Sequence, residues 1–136
     1  MKLSALKVDS ALIEQGDWVD GIPDLPGIRI KARGTNNKDY RLLEAKLVRE
    51  IPRGDRAEGV SPADQDRIAG RLLLETVVID VEGLTDDDDA PIKYTRELGE
   101  KLLLDPDFRV FQAGAAYAGS VVAQRRKATE AIETKN

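Results

Sequence analysis

The stretch Val110–Gln124, VFQAGAAYAGSVVAQ, runs fifteen residues without a charge, in a chain where 34% of residues are charged. Read as a helix, it puts Phe108, Phe111, Ala115, Ala118 and Val122 on one seam. Val110, Gly114, Tyr117 and Val121 fall on another face. A helix that is apolar nearly all round is not an ordinary surface helix; it sits at the centre of a domain or buries a second face against a partner. Gly114, Ala115, Ala118 and Gly119 would let another helix approach closely. An interior glycine costs a helix roughly 1 kcal/mol relative to alanine, so these glycines imply a packing reason. Tight intramolecular packing and a surface reserved for another chain both satisfy the pattern. For the second, the residues nominated are Phe111, Ala115, Tyr117, Ala118 and Val121, in a helix-in-groove contact.

Working outward, Asp105 can cap this last helix with Pro106 at its first position, and the spacing carries it to about Ile132. Before it, Thr95 caps a short helix containing Leu98, Leu102 and Leu103. Further back, Ser61-Pro62-Ala63-Asp64 combines an N-cap serine, a first-turn proline and an acid at the positive helix end. That helix, with Ile68, Leu72 and Val77 on its buried face, is expected to run to about Ile79. Another helix, capped by Asn36 or Asn37, carries Tyr40, Leu43, Leu47 and Ile51 at three- and four-residue spacing and stops at Pro52 and Gly54. Ahead of it, Ile28–Arg33 alternates apolar and basic residues, the period of a half-buried strand, after the turn-rich Asp20–Gly27.

The predicted architecture is mainly α: a small helical domain of about four helices with a short N-terminal β-hairpin-like lead. Residues 1–34 form the lead, 35–132 the helical domain and 133–136 a frayed tail, in one domain overall. The length of 136 residues suits one core. With aromatics at 4%, that core rests on Leu, Ile, Val and Ala.

The chain has no cysteine and no histidine. The first removes disulfides and thiolate chemistry, and the second removes the usual zinc ligand and general base. No cofactor is expected, and an enzyme is disfavoured. No apolar run reaches the roughly 20 residues that span a bilayer, and the N-terminus lacks the apolar core of a signal peptide. Lys31–Arg56 holds eight basic and four acidic residues, whereas Glu75–Asp107 holds three basic and eleven acidic. Such asymmetry can orient the molecule toward itself or a partner. Arg125-Arg126-Lys127 suits a helix C-terminus and has no stacking platform beside it for nucleic acid.

The acidic segment Asp80–Tyr94, DVEGLTDDDDAPIKY, is a candidate metal site by composition. A calcium loop needs oxygen ligands at its first, third and fifth positions and glycine at the sixth. Counting from Asp86, those last two positions are Ala90 and Pro91. Four adjacent aspartates without an apolar neighbour to raise one pKa fit a wet, ionised turn between two helices better than a catalytic pair. The flanks are more informative. Gly83 permits a bend, Leu84 returns toward the core, and Pro91 to Tyr94 leads out extended, so the loop reads as clamped at both ends.

Three strings then carry a resemblance: Ile28–Arg41, IRIKARGTNNKDYR; Val78–Leu84, VIDVEGL, with its acidic turn and Pro91-Ile92-Lys93-Tyr94-Thr95; and Leu103–Phe108, LLDPDF. Over roughly residues 28–120 the chain resembles the tail assembly chaperones of long-tailed bacteriophages and prophages. It departs from their pattern at Val81, where tryptophan is common, and at Asp88-Asp89-Ala90, where the turn often closes on Asp-Gly. The motif residues are Asp80, Gly83, Leu84, Pro91, Tyr94, Pro106 and Phe108. The resemblance implies a mostly helical, non-enzymatic protein that binds the tape-measure protein and recruits tail-tube subunits. It would act in the host bacterial cytoplasm and be missing from the mature virion, with no nucleic acid or membrane partner. It could form a homo-oligomer and be made in a longer, frameshifted form. Three alternatives remain open: a minor structural virion protein such as a head–tail connector or tail component, a small antitoxin-like regulator, and a metal-dependent hydrolase.

Overall fold

A computed structural model describes residues 1–127 of the chain. In order, it contains α1 (Ser10–Gln15), β1 (Asp17–Val19), β2 (Arg29–Ala32), α2 (Lys38–Arg49), α3 (Pro62–Leu72), β3 (Val78–Glu82), α4 (Arg96–Leu104) and α5 (Arg109–Ala123). The strands form one antiparallel sheet, β1-β2-β3, with β2 in the middle. This corrects the mainly α expectation: the described residues build a mixed α and β fold with five α-helices and a three-stranded sheet. The predicted hairpin is only two-thirds of that sheet, and the third strand spans the expected helix end at about Ile79 and the start of the expected acidic turn at Asp80.

The misread lies in Val77–Glu82. The α-helix capped by Ser61 ends at Leu72, passes through one π-helical turn, Leu73–Val77, and then extends as β3. A run of β-branched residues favours the extended chain. The alternation that should reveal a strand is hidden by a bulge. Lys31 pairs with Asp80 and Ala32 with Val78, so Ile79 is the extra residue. Val78 and Val81 both point into the core but stand three apart, a helical spacing produced by a strand.

The sheet's inner face, with Val19, Ile30, Ala32, Val78 and Val81, packs against α5 and the π turn in the main core. Ile30, Ala32, Ala115, Ala118 and Val122 are completely buried. A second cluster, Leu47, Ile51, Ile68 and Leu72, holds α2 against α3. Asn37 ties the two parts together. It is fully buried; its Oδ1 accepts the Tyr40 N–H at 2.8 Å, capping α2, and its Nδ2 donates to the carbonyls of Gly34 (2.7 Å) and Thr76 (2.8 Å).

The last helix also differs from expectation. It stops at Ala123 instead of continuing to about Ile132; residues 128–136 lie outside the described residues. Tertiary pairing captures the chain there. The Asp9 N–H donates to the Arg125 carbonyl at 2.9 Å, and Arg126 bridges to Val8. The turn before α5, Pro106–Phe108, is a 3-10 turn capped by Asp105, whose Oδ1 accepts the Asp107 N–H at 2.9 Å.

Candidate functional site: the open face of α5

Helix α5 divides into two uncharged faces. Phe111, Ala115, Ala118 and Val122 of the predicted seam are buried in the chain's own core. The glycines explain how the helix comes so close. A Cβ at Gly119 would lie 2.7 Å from Thr35 Cγ2 and 3.0 Å from Val77 Cγ1, and one at Gly114 would overlap Leu25. The neighbours that demand these small residues are two turns, which carry Leu25 and Thr35, and the end of the π-helical turn at Val77, not a second α-helix.

The opposite face stays open. Val110 is 54% exposed and Tyr117 40%; Ala113 and Ala116 are exposed between them, and Ser120 and Val121 are half-buried at the margin. Pro23 and Asp24 of the β1–β2 loop rise beside this stripe and close a depression of about 290 Å3. Asp24 holds a positive φ of 64°, which sets the loop's tight turn there. Burying an apolar stripe of this kind against another chain is favourable, at roughly 25 cal/mol per Å2 removed from water. The five nominated residues are therefore not brought together on one surface. Tyr117 lies in the stripe and Val121 at its margin, whereas Phe111, Ala115 and Ala118 face inward. Sequence reading placed Val110 on the second face but did not single out Ala113, Pro23 or Asp24; the turn-rich Asp20–Gly27 was their only signal.

The free sheet edges are guarded. The Arg33 N–H donates to the Val77 carbonyl at 2.9 Å, which fixes which backbone groups of β2 face β3. By that alternation, the Trp18 and Val81 N–H groups point away from β2 at the two outer edges. Each donates to the carboxylate of the preceding aspartate, Asp17 at 2.9 Å and Asp80 at 2.8 Å. Charged, self-satisfied edges resist strand addition.

The acidic loop connects strand to helix, not helix to helix. The Ile92 N–H donates to the Leu84 carbonyl at 2.9 Å, and Thr85 bridges to Pro91. Gly83 has a φ of 97°, and a Cβ there would strike the Gly27 carbonyl. Asp86 Oδ1 accepts the N–H groups of Asp88 and Ala90, each at 2.9 Å. Among the described residues, no group of three or more Asp or Glu is arranged to hold a metal ion. Tyr94 packs against the main core and over Gly99, and burial pushes its phenol up, with a smaller upward push from Asp80. Burial also raises Tyr40, with Glu44 adding to it. Glu75 is held below its usual 4.5 chiefly by its hydrogen bonds from Arg96, whose own pKa is raised by Glu75 and Glu100. Phe108 lies under the Lys101 ammonium at 5.9 Å.

Fold and surface together define a small α and β protein whose open apolar surface is a helix stripe, with both sheet edges blunted. No described helix is long and apolar enough to cross a membrane. The chain belongs to the YdaY prophage protein family, whose sequence model matches residues 35–136. It is therefore a phage-related protein. No curated protein and no solved structure matches it.

Proposed function

We propose that this prophage protein is a non-enzymatic tail assembly chaperone, which binds the tape-measure protein and recruits tail-tube subunits in the host cytoplasm. The observation that carries the proposal is the open, uncharged stripe Val110–Ala113–Tyr117 on α5. Family membership supports the phage context, and the motif strings over residues 28–120 supply the likeness to such chaperones. A long tape-measure chain offers amphipathic helices, and a helix packing along the stripe beside Pro23 is the contact that suits it. Blunted sheet edges favour that mode over strand addition.

The experiment is co-expression with the tape-measure and tube proteins of the same prophage, followed by affinity capture and by mass spectrometry of purified particles. The chaperone reading expects capture of the tape-measure protein and no copies in finished particles. A fixed number of copies in every particle would instead make the protein a minor structural virion component.

A further inference from the structure

A cavity of about 670 Å3 forms a groove between α3 and the junction of α4 with α5. Its floor includes Gly70, where a Cβ would lie 2.5 Å from the Leu103 carbonyl oxygen, and Leu104, which is 43% exposed. Its rim carries Arg67, Arg71 and Arg109 against a single carboxylate, Asp66. Two of these arginines have only loose, exposed ion pairs, Arg67 with Asp64 at 3.3 Å and Arg71 with Glu75 at 3.8 Å. Such pairs contribute about 0–1 kcal/mol and give way readily to a better partner. Arg109 donates its Nε–H to the Pro106 carbonyl at 3.1 Å and has no carboxylate partner among the described residues.

The complementary charge is on the same chain. Asp86–Asp89 is exposed and shaped into a turn by the Asp86 hydrogen bonds and by Asp89 at a φ of 61°. None of these four aspartates has an ion pair among the described residues. Ala90, Pro91 and Ile92 form an exposed apolar shoulder beside them. The loop leads into the N-terminus of α4, and the groove opens at its C-terminus. The nine residues of α4 hold the two about 13 Å apart along the helix, so a loop cannot reach its own groove.

We propose that the groove receives the Asp86–Asp89 loop of a second copy of this chain, so that copies associate head to tail. Arg67, Arg71 and Arg109 meet the aspartates, and Leu104 meets the apolar shoulder. The contact is heterologous: each pair leaves one loop free at one end and one groove free at the other, and association continues until a ring closes or a filament grows. This does not depend on the tape-measure reading, since Val110, Ala113 and Tyr117 take no part; Arg109 alone borders both the groove and the depression beside the stripe.

Sedimentation of the purified full chain tests it with two charge reversals, Arg67→Glu/Arg109→Glu in the groove and Asp87→Lys/Asp88→Lys in the loop. For the wild type, average mass should rise with concentration. The association constant should fall at least about tenfold between about 0.1 and 1 M salt, as the screening length drops from about 10 to 3 Å. Each reversal alone should abolish association, and an equimolar mixture should restore it, because Lys loops then meet Glu grooves and Asp loops meet Arg grooves. If a reversal fails to fold by circular dichroism, Arg67→Gln/Arg109→Gln and Asp87→Asn/Asp88→Asn should each weaken association at least about fivefold. A monomeric wild type, association indifferent to both changes, or folded reversals that do not complement each other would overturn the proposal. A monomer that binds a free tetra-aspartate peptide in the groove would overturn it too, by assigning the groove to another chain.

Discussion

The two faces of α5 share one composition and have opposite fates. Phe111, Ala115, Ala118 and Val122 are sealed against β2 and the π turn, while Val110, Ala113 and Tyr117 remain in water. Absence of charge reports that a surface is to be covered, but not by what. On the inner face the cover is the chain's own sheet and π turn, and the glycines are required because the side chains of Thr35, Val77 and Leu25 press against them. On the outer face no element of the described chain covers the stripe. The inner face should therefore govern stability and the outer face association.

The largest effect should come from Phe111→Ala, which leaves a cavity between α5 and the sheet. A loss of about 3–5 kcal/mol is expected, measured by urea unfolding at constant m. A loss below about 1 kcal/mol would break the distinction between the faces. Next is a pair of opposite substitutions. Gly119→Ala gains about 1 kcal/mol of helix propensity but forces a methyl against Thr35 and Val77, so a net loss of about 1–2 kcal/mol is expected. Ala113→Gly, on the open face, should lose about 1 kcal/mol by propensity alone. Alanine is thus preferred outside and glycine inside; a stabilising Gly119→Ala would show that the inner face has room.

A smaller effect is expected at Glu75, on the side of the molecule held by Arg96. The carboxyl is lowered in the folded state, so its contribution is present above its usual 4.5 and is lost as pH falls through the lower folded value. Glu75 is partly exposed, which limits the contribution to about 1 kcal/mol or less. Unfolding of Glu75→Gln should match that of the wild type at low pH and fall below it only at higher pH; a constant deficit at all pH values would contradict the ion-pair account. The smallest effect should follow Val110→Ser, within about 0.5 kcal/mol of the wild type by thermal melting, as for an exposed site.

Much of this was legible in the sequence because local chemistry announced it. Ser61-Pro62, Asn37 and Thr95 each cap the helix their residue type predicts, Asp105 caps the 3-10 turn before α5 instead of α5 itself, and Ile30 and Ala32 point inward as their alternation implies. The third strand was not legible, because the bulge at Ile79 turns a period of two into a spacing of three. Nor was the end of α5, where no glycine or proline stops the helix and the stop comes from pairing with Val8 and Asp9, distant in sequence. The site was half legible: the lack of charge in Val110–Gln124 was plain, but which face stays open depends on where the sheet lies. Tyr117 and Val121 could be nominated, while Pro23 and Asp24 reach the stripe only through the folded loop.

The most direct test of the α5 surface is capture of the co-expressed tape-measure protein by the wild type and by Val110→Glu/Tyr117→Glu, with melting followed in parallel. The account predicts a folded variant melting within about 4 °C of the wild type and retaining less than about a tenth of the captured tape-measure protein. A folded variant that captures as much as the wild type would contradict it.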